Sequence, residues 1–351
     1  MLLVDQHSDT AIRQRLTAEL GRIEQRFNAE LASDLACVNR LVEHVGRYRG
    51  KMLRPTLVLV AGLCAARPGQ ELGPAHSDAA VVVELTHMAT LVHDDILDEA
   101  QMRRKGATVN RLEGNETAVM LGDYLFSHAF HLCSRLHDCR VTQVMSRTTN
   151  IVCEGELLQL ANRNNWDLTE ETYFDIIRRK TAALCAVSCH LGAMLTGADD
   201  AVCDALAGFG QHLGMAYQIV DDLLDLTGDQ ATVGKTLGRD LQKGKLTLAM
   251  IHGLRAAGPG GRQTLLAILE QHGLGRSQGN GHSHANDRNG LDAATADKVR
   301  ELLTAHGSLE FAKQSAVKLI QQAQSALSPL PDSPMRNFLT NVAQAVVTRR
   351  S

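Results

Sequence analysis

The sequence predicts an all-α protein. Long segments rich in Ala, Leu, Glu and Arg carry apolar residues at intervals of three and four positions, which is the spacing of one buried helix face. Segments with the alternating pattern of a strand are nearly absent, and aromatic residues make up only 3% of the chain. Helix-breaking residues cluster between the periodic segments. A bundle of helices joined by loops therefore fits the chain.

Periodic segments and breaker clusters alternate along the chain. The clearest periodic segments are DTAIRQRLTAELGRIEQRFNAEL at 9–31, SDAAVVVELTHMATLVHDD at 77–95 and ETYFDIIRRKTAALCAVSCHLGAML at 171–195. The breaker clusters are ARPGQELGP at 66–74, ANRNNWD at 161–167 and GLGRSQGNGHSHANDRNGLD at 273–292. We interpret the last cluster as a flexible insertion at about 273–292, because its two histidines lack the further ligands of a metal site. No cluster resembles a linker between independent domains, so we expect one domain over 1–351.

Composition and charge argue against several classes of protein. The 351 residues are 44% hydrophobic and 21% charged, which is typical of a globular protein with a large core. Thirty-six Lys and Arg against 39 Asp and Glu leave a net charge of -3, which does not favour nucleic-acid binding. Eight cysteines without a CxxC pair, and an N-terminus without a signal-peptide pattern, indicate a cytoplasmic protein. No apolar run is as long as the segment of about 18 residues that a membrane-spanning helix needs.

The segment LVHDDILDEAQMRR at 91–104 places three carboxylates at the end of an apolar helical run. Asp94 and Asp98 lie one helical turn apart on the same face, with Asp95 beside them. Like charges this close repel, so a positive partner is expected among them. Carboxylate oxygens completed by water and by substrate phosphate are a common way to bind Mg²⁺. Taken alone, this first acidic motif also fits a solvated helix end.

A second acidic motif repeats the first. In AYQIVDDLLDLTGD, 127 residues further on, Asp221, Asp222 and Asp225 have the same spacing and again follow an apolar helical run. Two facing helices with such turns can hold metal ions between them, and a polyanion that bridges the ions would offset the repulsion. Two unrelated acidic helix ends are the alternative interpretation.

A diphosphate ligand would also require cations of suitable geometry, and basic residues recur near both motifs. Arginine binds phosphate in a bidentate manner and lysine acts as a point charge. Each residue alone also fits an ordinary charged surface. The candidates are Lys51, Arg54, Arg103, Arg104, Lys180 with the Thr181 hydroxyl, Lys235 and Lys245.

Together these residues resemble the trans-prenyltransferases, the all-trans polyprenyl diphosphate synthases, over nearly the whole chain. The matching motifs are GKMLRP (50–55), ELTHMATLVHDDILDEAQMRR (84–104), GDYLFSHAF (122–130), EGELLQL (154–160), RRKTAAL (178–184), AYQIVDDLLD (216–225) and GKTLGRDLQKGKLTLAMI (234–251). The resemblance implies a single-domain helical bundle of the isoprenoid synthase type around a deep central cavity. It also implies a homodimer.

The resemblance implies a role for each matching residue. Two or three Mg²⁺ ions would be held by Asp94, Asp95, Asp98, Asp221, Asp222 and Asp225. Isopentenyl diphosphate would be bound by Lys51, Arg54, His87 and Arg104. The allylic diphosphate would be bound by Arg103, Lys180, Thr181, Gln218 and Lys235, with Lys245, Gln159 and Asp240 nearby. The implied catalytic set is Asp94, Asp95, Asp98, Arg103, Lys180, Asp221, Asp222 and Lys235.

Some alternatives remain open at the level of sequence. His87 also fits a satisfied core histidine. Arg49 stands where the family commonly has a glycine, and Lys105 follows the arginine pair directly, so the loop shapes there differ from the family pattern. A shorter-chain synthase, a class I terpene cyclase, a noncatalytic partner subunit and a purely structural scaffold are the competing functions. The cyclase and the scaffold fit poorly, because neither explains two Asp motifs together with the GKMLRP cations.

Product length is addressed by the residues that precede Asp94 on the same helix. Each helical turn advances about 5.4 Å, close to one extended isoprene unit. The small residues Ala89, Thr90, Thr86 and Val82 leave this helix without an aromatic block. A product of roughly thirty to fifty carbons is therefore expected, by the same length argument. The other possibility is a floor formed by residues on neighbouring helices, namely Phe126, Phe130 and Leu157.

Replacing Ala89 by Phe is expected to shorten the product. The aromatic ring would obstruct the growing chain about one helical turn below the acidic motif, so that products of roughly fifteen to twenty carbons accumulate. Chromatography of the products made from labelled isopentenyl diphosphate measures the effect. An unchanged distribution of chain lengths would refute the predicted position of the cavity.

Overall fold

Helices account for nearly all the regular structure, as the apolar spacing predicts. The structure is a computed structural model that describes residues 10–48, 50–103, 106–136, 138–227, 238–271 and 293–349. Within these ranges the exceptions to the α-helical pattern are a two-stranded hairpin and one short π-helix. The all-α prediction is confirmed. The insertion predicted at about 273–292 lies outside the described residues.

The first half of the chain contains the hairpin and the helix that carries the first acidic motif. Its elements are α1 (Thr10–Glu30), α2 (Ala36–Gly46), α3 (Leu53–Ala65), α4 (Pro74–Leu97), β1 (Met102–Arg103), β2 (Gly106–Ala107), α5 (Val109–Arg135) and α6 (Cys139–Ala161). The strands pair antiparallel, with Met102 opposite Ala107. Helix α5 is kinked at Gly114, whose φ of 85° is a conformation that glycine adopts readily.

The second half of the chain is helical throughout its described elements. These are α7 (Glu170–Ile177), the π-helix (Arg178–Ala182), α8 (Ala183–Met194), α9 (Asp200–Thr227), α10 (Arg239–Gln242), α11 (Leu248–Ala256), α12 (Gly258–Gln271), α13 (Ala293–Ala305), α14 (Ser308–Ala326) and α15 (Pro334–Thr348). The periodic segment 171–195 is thus divided by the π-helix, which the apolar spacing does not reveal. Such π-segments often occur at functional sites.

Helix α4 carries the first acidic motif out of the core. It begins at Pro74, a residue favoured in the first turn because it needs no partner for an amide hydrogen. Its middle, from Ala79 to Thr86, is buried on every face. This buried stretch contains one acidic residue, Glu84, and the three carboxylates of the motif follow near the C-terminal end of the helix. Despite this hydrophobicity, no helix within the described ranges is long and apolar enough to cross a membrane.

The chain forms two compact units. Unit 1 comprises the described residues up to 150 together with 183–211 and 323–343. Unit 2 comprises 151–182, 212–322 and the described residues from 344 onward. Each unit draws on three separate stretches, so neither corresponds to a contiguous segment of sequence. The single domain over 1–351 stays a prediction.

A close crossing of α3 and α8 organises the core of unit 1. A side chain at Gly192 would place its Cβ 2.2 Å from the Val58 carbonyl oxygen and 2.9 Å from the Gly62 nitrogen. Because both of these are backbone atoms, the crossing can accommodate a side chain only if the helices move apart. Gly62 lies on the other side of the same contact. A Cβ added to Gly62 would lie 3.1 Å from the Gly192 carbonyl oxygen.

Replacing Gly192 by Ala is expected to destabilise the protein. The added methyl group would force α3 from α8, and overpacking of this kind costs about 1–3 kcal/mol. Thermal unfolding followed by circular dichroism measures the loss. The control is Gly208→Ala in α9, where the new Cβ meets only the Ala326 Cβ at 3.8 Å. A melting temperature of the Gly192 variant equal to that of the control would contradict the close crossing.

Candidate active site

The first acidic motif lies at the C-terminal end of α4, and its central carboxylate is neutralised by an arginine. Asp95 is only 2% exposed. The Arg103 guanidinium donates from Nε to both Asp95 oxygens at 3.0 Å and from Nη2 to Oδ1 at 2.8 Å. Burial lowers the pKa of Arg103, but the hydrogen bonds to Asp95 and the charges of Asp95 and Asp94 outweigh it and raise the pKa. Arg103 is thus the positive partner that the sequence requires.

The hairpin that carries Arg103 is fixed by neighbours that the sequence analysis missed. The Val109 amide donates to the Tyr48 hydroxyl at 2.9 Å, and the Arg103 guanidinium lies 5.9 Å from the centre of the Tyr48 ring. Burial and the negative charge of Asp95 raise the pKa of Tyr48 to about 12. The Asn110 amide donates to the Asp95 carbonyl oxygen at 3.3 Å. Arg104, predicted beside Arg103, lies outside the described residues.

Other predicted residues of unit 1 lie on α3 and α4. On α4, His87, Asp94 and Asp98 are partly exposed at positions that share one helix face. Arg54 lies in the first turn of α3. Burial raises the pKa of the Cys185 thiol, and the nearby charge of Arg54 opposes that rise. Lys51, just before α3, is exposed.

The residues predicted to set chain length are mostly inaccessible. Ala89, Thr86 and Val82 are buried, and Thr90 is partly exposed. The Thr86 hydroxyl donates to the Val82 carbonyl oxygen at 2.9 Å, and the Thr90 hydroxyl donates to that of His87 at 2.8 Å. Because both hydroxyls are bound to the helix backbone, the threonines present mainly their methyl groups to their surroundings. Their role in chain length stays a prediction.

The second acidic motif lies at the end of α9 in unit 2, and each of its carboxylates has a different partner. Asp221 forms an ion pair with Arg349, whose guanidinium also stacks on Tyr217 with 4.5 Å to the ring centre. Asp222 accepts from the Tyr173 hydroxyl at 2.6 Å and from the Gln218 amide at 2.8 Å. Asp225 accepts from the backbone amide of Asp240 at 3.1 Å.

Burial raises the free-energy cost of ionising the carboxyl groups of this motif. Desolvation, together with the charges of Asp240 and Asp221, raises the pKa of Asp222 well above its ordinary value, although the hydrogen bonds from Tyr173 and Gln218 oppose the shift. Desolvation and the charge of Asp240 raise the pKa of Asp225 to about 6. The carboxyl groups of Asp222 and Asp225 therefore lie where their negative charge is poorly compensated, and a bound cation would stabilise their ionised forms.

The π-helix places the predicted diphosphate-binding pair beside the second motif. The Thr181 hydroxyl donates to Gln218 Oε1 at 2.9 Å, so Gln218 joins Thr181 to Asp222. Lys180 Nζ donates to Gln159 Oε1 at 2.9 Å and forms an ion pair with Glu156. The predicted neighbours Lys180, Thr181, Gln218, Gln159 and Asp222 therefore belong to one connected group within unit 2.

Two further predicted residues follow α9. Lys245 donates its backbone amide to the Asp240 carbonyl oxygen at 2.9 Å, and Asp240 in turn bonds to Asp225 through its own amide. Both predicted neighbours of the motif are thus placed beside it by the turn after α10. Lys235 lies outside the described residues.

Sequence reasoning missed two of the residues that bind the carboxylates of the second motif. Tyr173 and Arg349 are absent from the quoted motifs, and they lie 49 and 128 positions from their partners along the chain. The only local signal was for Tyr173, which precedes Lys180 by two helical turns in a segment already predicted to be helical. Nothing near Arg349 in the sequence indicates a site.

The donor chemistry of these motifs fits a hard divalent cation. Their candidate ligands are carboxylate oxygens, which Mg²⁺ and Ca²⁺ prefer. As the described residues stand, neither motif gathers three His, Cys, Asp or Glu side chains around one point. The carboxylate oxygens instead meet Arg103, Arg349, Tyr173 and Gln218, so metal binding requires some of these contacts to rearrange.

Comparison with known protein families matches residues 36–278 to the polyprenyl synthetase family. The chain belongs to this family. Its similarity extends over 96% of the chain and 98% of the octaprenyl diphosphate synthase of Escherichia coli strain K12, at 35% identity over 338 residues. The predicted resemblance to all-trans polyprenyl diphosphate synthases is thus confirmed, and with it the prediction of a prenyltransferase.

Solved structures of family members have the same fold. A polyprenyl synthase from Caulobacter crescentus CB15, complexed with calcium and isoprenyl diphosphate, superposes with a TM-score of 0.85 at 30% identity, covering 99% of this chain and 100% of that one. A decaprenyl diphosphate synthase from Rhodobacter capsulatus superposes with a TM-score of 0.84 at 33% identity, covering 96% and 98%. The isoprenoid synthase fold predicted for this chain is therefore confirmed.

Replacing Gly155 by Ala is expected to disturb the π-helix of this polyprenyl synthase. A Cβ at Gly155 in α6 would lie 2.6 Å from the Lys180 amide nitrogen and 2.7 Å from the Arg179 Cβ. The π-helix would have to move, and we expect affinity for inorganic diphosphate in the presence of Mg²⁺ to fall by about tenfold, the equivalent of about 1.4 kcal/mol. Isothermal titration calorimetry measures this affinity.

The matched control for this change is Gly21→Ala in α1, where nothing lies within 4 Å of the added Cβ. The control is expected to bind diphosphate as the unmodified protein does. Equal affinity in both variants would show that the close approach of α6 does not position Lys180.

Proposed function

We propose that this polyprenyl synthase catalyses the Mg²⁺-dependent head-to-tail (1'-4) condensation of isopentenyl diphosphate onto an allylic diphosphate. One observation carries the proposal. The Thr181 hydroxyl is joined through Gln218 to the Asp222 carboxylate. A predicted diphosphate-binding residue and a predicted metal-binding residue thus form one hydrogen-bonded group, as a metal–diphosphate site requires.

In this proposal the acidic motifs hold two or three Mg²⁺ ions. The ligands are Asp94, Asp95, Asp98, Asp221, Asp222 and Asp225. The raised pKa values of Asp222 and Asp225 support it, because buried carboxyl groups lacking positive charge gain most from a bound cation. When bound, the ions neutralise the negative charge that develops on the departing diphosphate. The structure of the Caulobacter relative with calcium and isoprenyl diphosphate is in line with this requirement for a divalent cation.

The chain's own cations orient the allylic substrate. Lys180, Thr181 and Gln218 in unit 2 bind its diphosphate, with Lys235 and Lys245 nearby, and Arg103 exchanges its contact with Asp95 for one with the substrate. The C–O bond of the allylic diphosphate then breaks with its electron pair leaving on oxygen. The remaining allylic carbocation is attacked by the double bond of isopentenyl diphosphate, and a proton is lost to the released diphosphate. No protein nucleophile takes part.

Isopentenyl diphosphate is assigned to the predicted cations of unit 1, namely Lys51, Arg54, His87 and Arg104. The position of His87 supports this assignment. It shares a partly exposed face of α4 with Asp94 and Asp98, whereas a core histidine would lie on a buried face.

The product is assigned a length of roughly thirty to fifty carbons. The assignment uses the advance of about 5.4 Å per helical turn, which is close to the length of one extended isoprene unit. The support is twofold. The residues before Asp94 on α4 are small, and the relatives from Escherichia coli and Rhodobacter capsulatus are named for octaprenyl and decaprenyl products.

We also assign a homodimer in the cytoplasm. Helix α5 exposes three apolar side chains, Leu112 before the kink at Gly114 and Val119 and Met120 after it, of which Met120 is 65% exposed. Several exposed large apolar side chains on one element are typical of a surface covered by a partner. A second copy of the chain is the partner that the resemblance implies.

Incubation of the protein with Mg²⁺, labelled isopentenyl diphosphate and allylic primers of several lengths tests the proposed reaction. We expect long-chain prenyl products, and we expect Asp222→Asn to reduce turnover by about 100-fold or more, as the loss of an electrostatic group at a reacting centre does. The matched control is Asp204→Asn, an exposed residue on the same helix α9.

Failure of the unmodified protein to elongate any primer would overturn the proposed reaction. Equal turnover in the Asp222 and Asp204 variants would instead show that the second acidic motif is not part of the site.

A further inference from the structure

Tyr173 is a buried residue of α7 that none of the recognised motifs contains. Its side chain is only 4% exposed, and its partner Asp222 is 7% exposed. The hydroxyl donates to Asp222 Oδ2 at 2.6 Å, a short contact of the kind that ionised acceptors form. A buried tyrosine usually has a partner for its hydroxyl, but here that partner belongs to the second acidic motif.

The two hydrogen bonds to Asp222 define the orientation of its carboxylate. Tyr173 occupies Oδ2, and the Gln218 amide occupies Oδ1 at 2.8 Å. With both oxygens bound, the carboxylate plane cannot rotate without losing a hydrogen bond. A ligand whose orientation is set in advance binds a metal without paying that ordering cost on binding.

The donors to the Asp222 side chain are neutral, whereas Asp95 and Asp221 are each paired with an arginine. Arg103 neutralises Asp95, and Arg349 forms an ion pair with Asp221. A hydroxyl and an amide hold Asp222 in place without supplying a positive charge. A bound cation would stabilise the ionised carboxylate in this position. This combination of fixed orientation and neutral donors suits a metal ligand.

Tyr173 itself is held firmly. Its amide donates to the Thr169 carbonyl oxygen at 3.0 Å, and the Thr169 side chain caps the first turn of α7 by accepting from the Thr172 amide at 3.2 Å. Its ring also packs edge-on against Phe174, with 5.8 Å between ring centres. The hydroxyl is therefore placed by a rigid element, as a residue that positions another must be.

The contacts continue from Asp222 to the diphosphate-binding segment. Gln218 donates to Asp222 and accepts from the Thr181 hydroxyl at 2.9 Å. Tyr173 and Thr181 are thereby connected at two points: through Asp222 and Gln218, and through the backbone from α7 into the π-helix. Movement of the carboxylate would change the position of the Thr181 hydroxyl.

We propose that Tyr173 is a positioning residue that orients the Asp222 carboxylate for Mg²⁺ and, through Gln218 and Thr181, couples the metal site to the diphosphate site. This inference rests on the proposed function, because it takes Asp222 as a metal ligand. It adds a residue outside the matched motifs and gives it a role distinct from contact with substrate.

Tyr173→Phe tests the role, because it removes the hydroxyl and retains the ring. The Mg²⁺ concentration for half-maximal activity is expected to rise and kcat to fall, each by about 10- to 100-fold, since a hydrogen bond to a charged group is lost. The KM for isopentenyl diphosphate is expected to stay within about twofold, because none of the residues assigned to that substrate belongs to the chain of hydrogen bonds from Tyr173 to Thr181. Tyr124→Phe is the matched control, since the Tyr124 hydroxyl makes a 3.4 Å contact with the Leu31 carbonyl oxygen in unit 1.

A direct measurement of metal binding accompanies the kinetics. Mn²⁺ replaces Mg²⁺, and electron paramagnetic resonance counts the free ion in the presence of inorganic diphosphate. Tyr173→Phe is expected to weaken Mn²⁺ binding by about tenfold or more, while Tyr124→Phe leaves it unchanged. The double variant Tyr173→Phe, Thr181→Val is expected to weaken Mn²⁺ binding by less than the product of the two separate fold-changes, because both substitutions act through the same chain of contacts.

The outcomes separate this inference from the proposed function. Unchanged Mn²⁺ affinity in Tyr173→Phe overturns the positioning role, whether or not the variant melts at a lower temperature. If the Phe variant does not fold, Gln218→Met removes the other neutral donor, and unchanged Mn²⁺ affinity there overturns the role equally. If Mn²⁺ binding depends on Tyr173 but no primer is elongated, the proposed reaction fails and the positioning role stands.

Discussion

The buried negative charge of the second acidic motif is the constraint on which the rest of the site depends. Asp222 and Asp225 lie in a desolvated region beside Asp240, and the pKa values of both rise as a result. A protein does not normally retain such charge, because the cost of desolvation exceeds what neutral hydrogen bonds return. A bound cation would relieve this cost. The electrostatics of unit 2 therefore support the proposed metal site independently of the resemblance to a family.

The two acidic motifs have the same spacing, but their buried carboxyl groups have different partners. In unit 1, the Arg103 guanidinium covers both oxygens of Asp95, so the protein supplies its own counter-charge. In unit 2, Asp222 has hydrogen bonds from Tyr173 and Gln218, which supply no positive charge, and burial raises its pKa. Identical sequence patterns therefore have different local electrostatics. Within the proposed reaction, Asp95 and Asp221 each exchange an arginine for the metal ion, whereas the Asp222 carboxylate is already oriented.

Backbone geometry contributes as much to the site as the charged side chains do. The π-helix at Arg178–Ala182 interrupts a continuous run of α-helix where Lys180 and Thr181 occur. Gly155 permits the backbone of α6 to approach this segment more closely than any other residue type would allow. Two motifs that are distant in the sequence, EGELLQL and RRKTAAL, thus form one structural feature. The glycine of the first belongs to the site although it carries no functional group.

By itself the sequence determined the helices, the two acidic turns and the family, because helical period, charge spacing and motif order are local properties that can be read along the chain. The neighbourhood of Lys180, Thr181, Gln218 and Asp222 could also be anticipated, since each belongs to a recognised motif. Only the tertiary structure decided which donor meets which carboxylate. Tyr173 reaches Asp222 across 49 positions and Arg349 reaches Asp221 across 128. Such contacts depend on how separate helices pack, and burial, which sets the cost of each charge, exists only after the chain has folded.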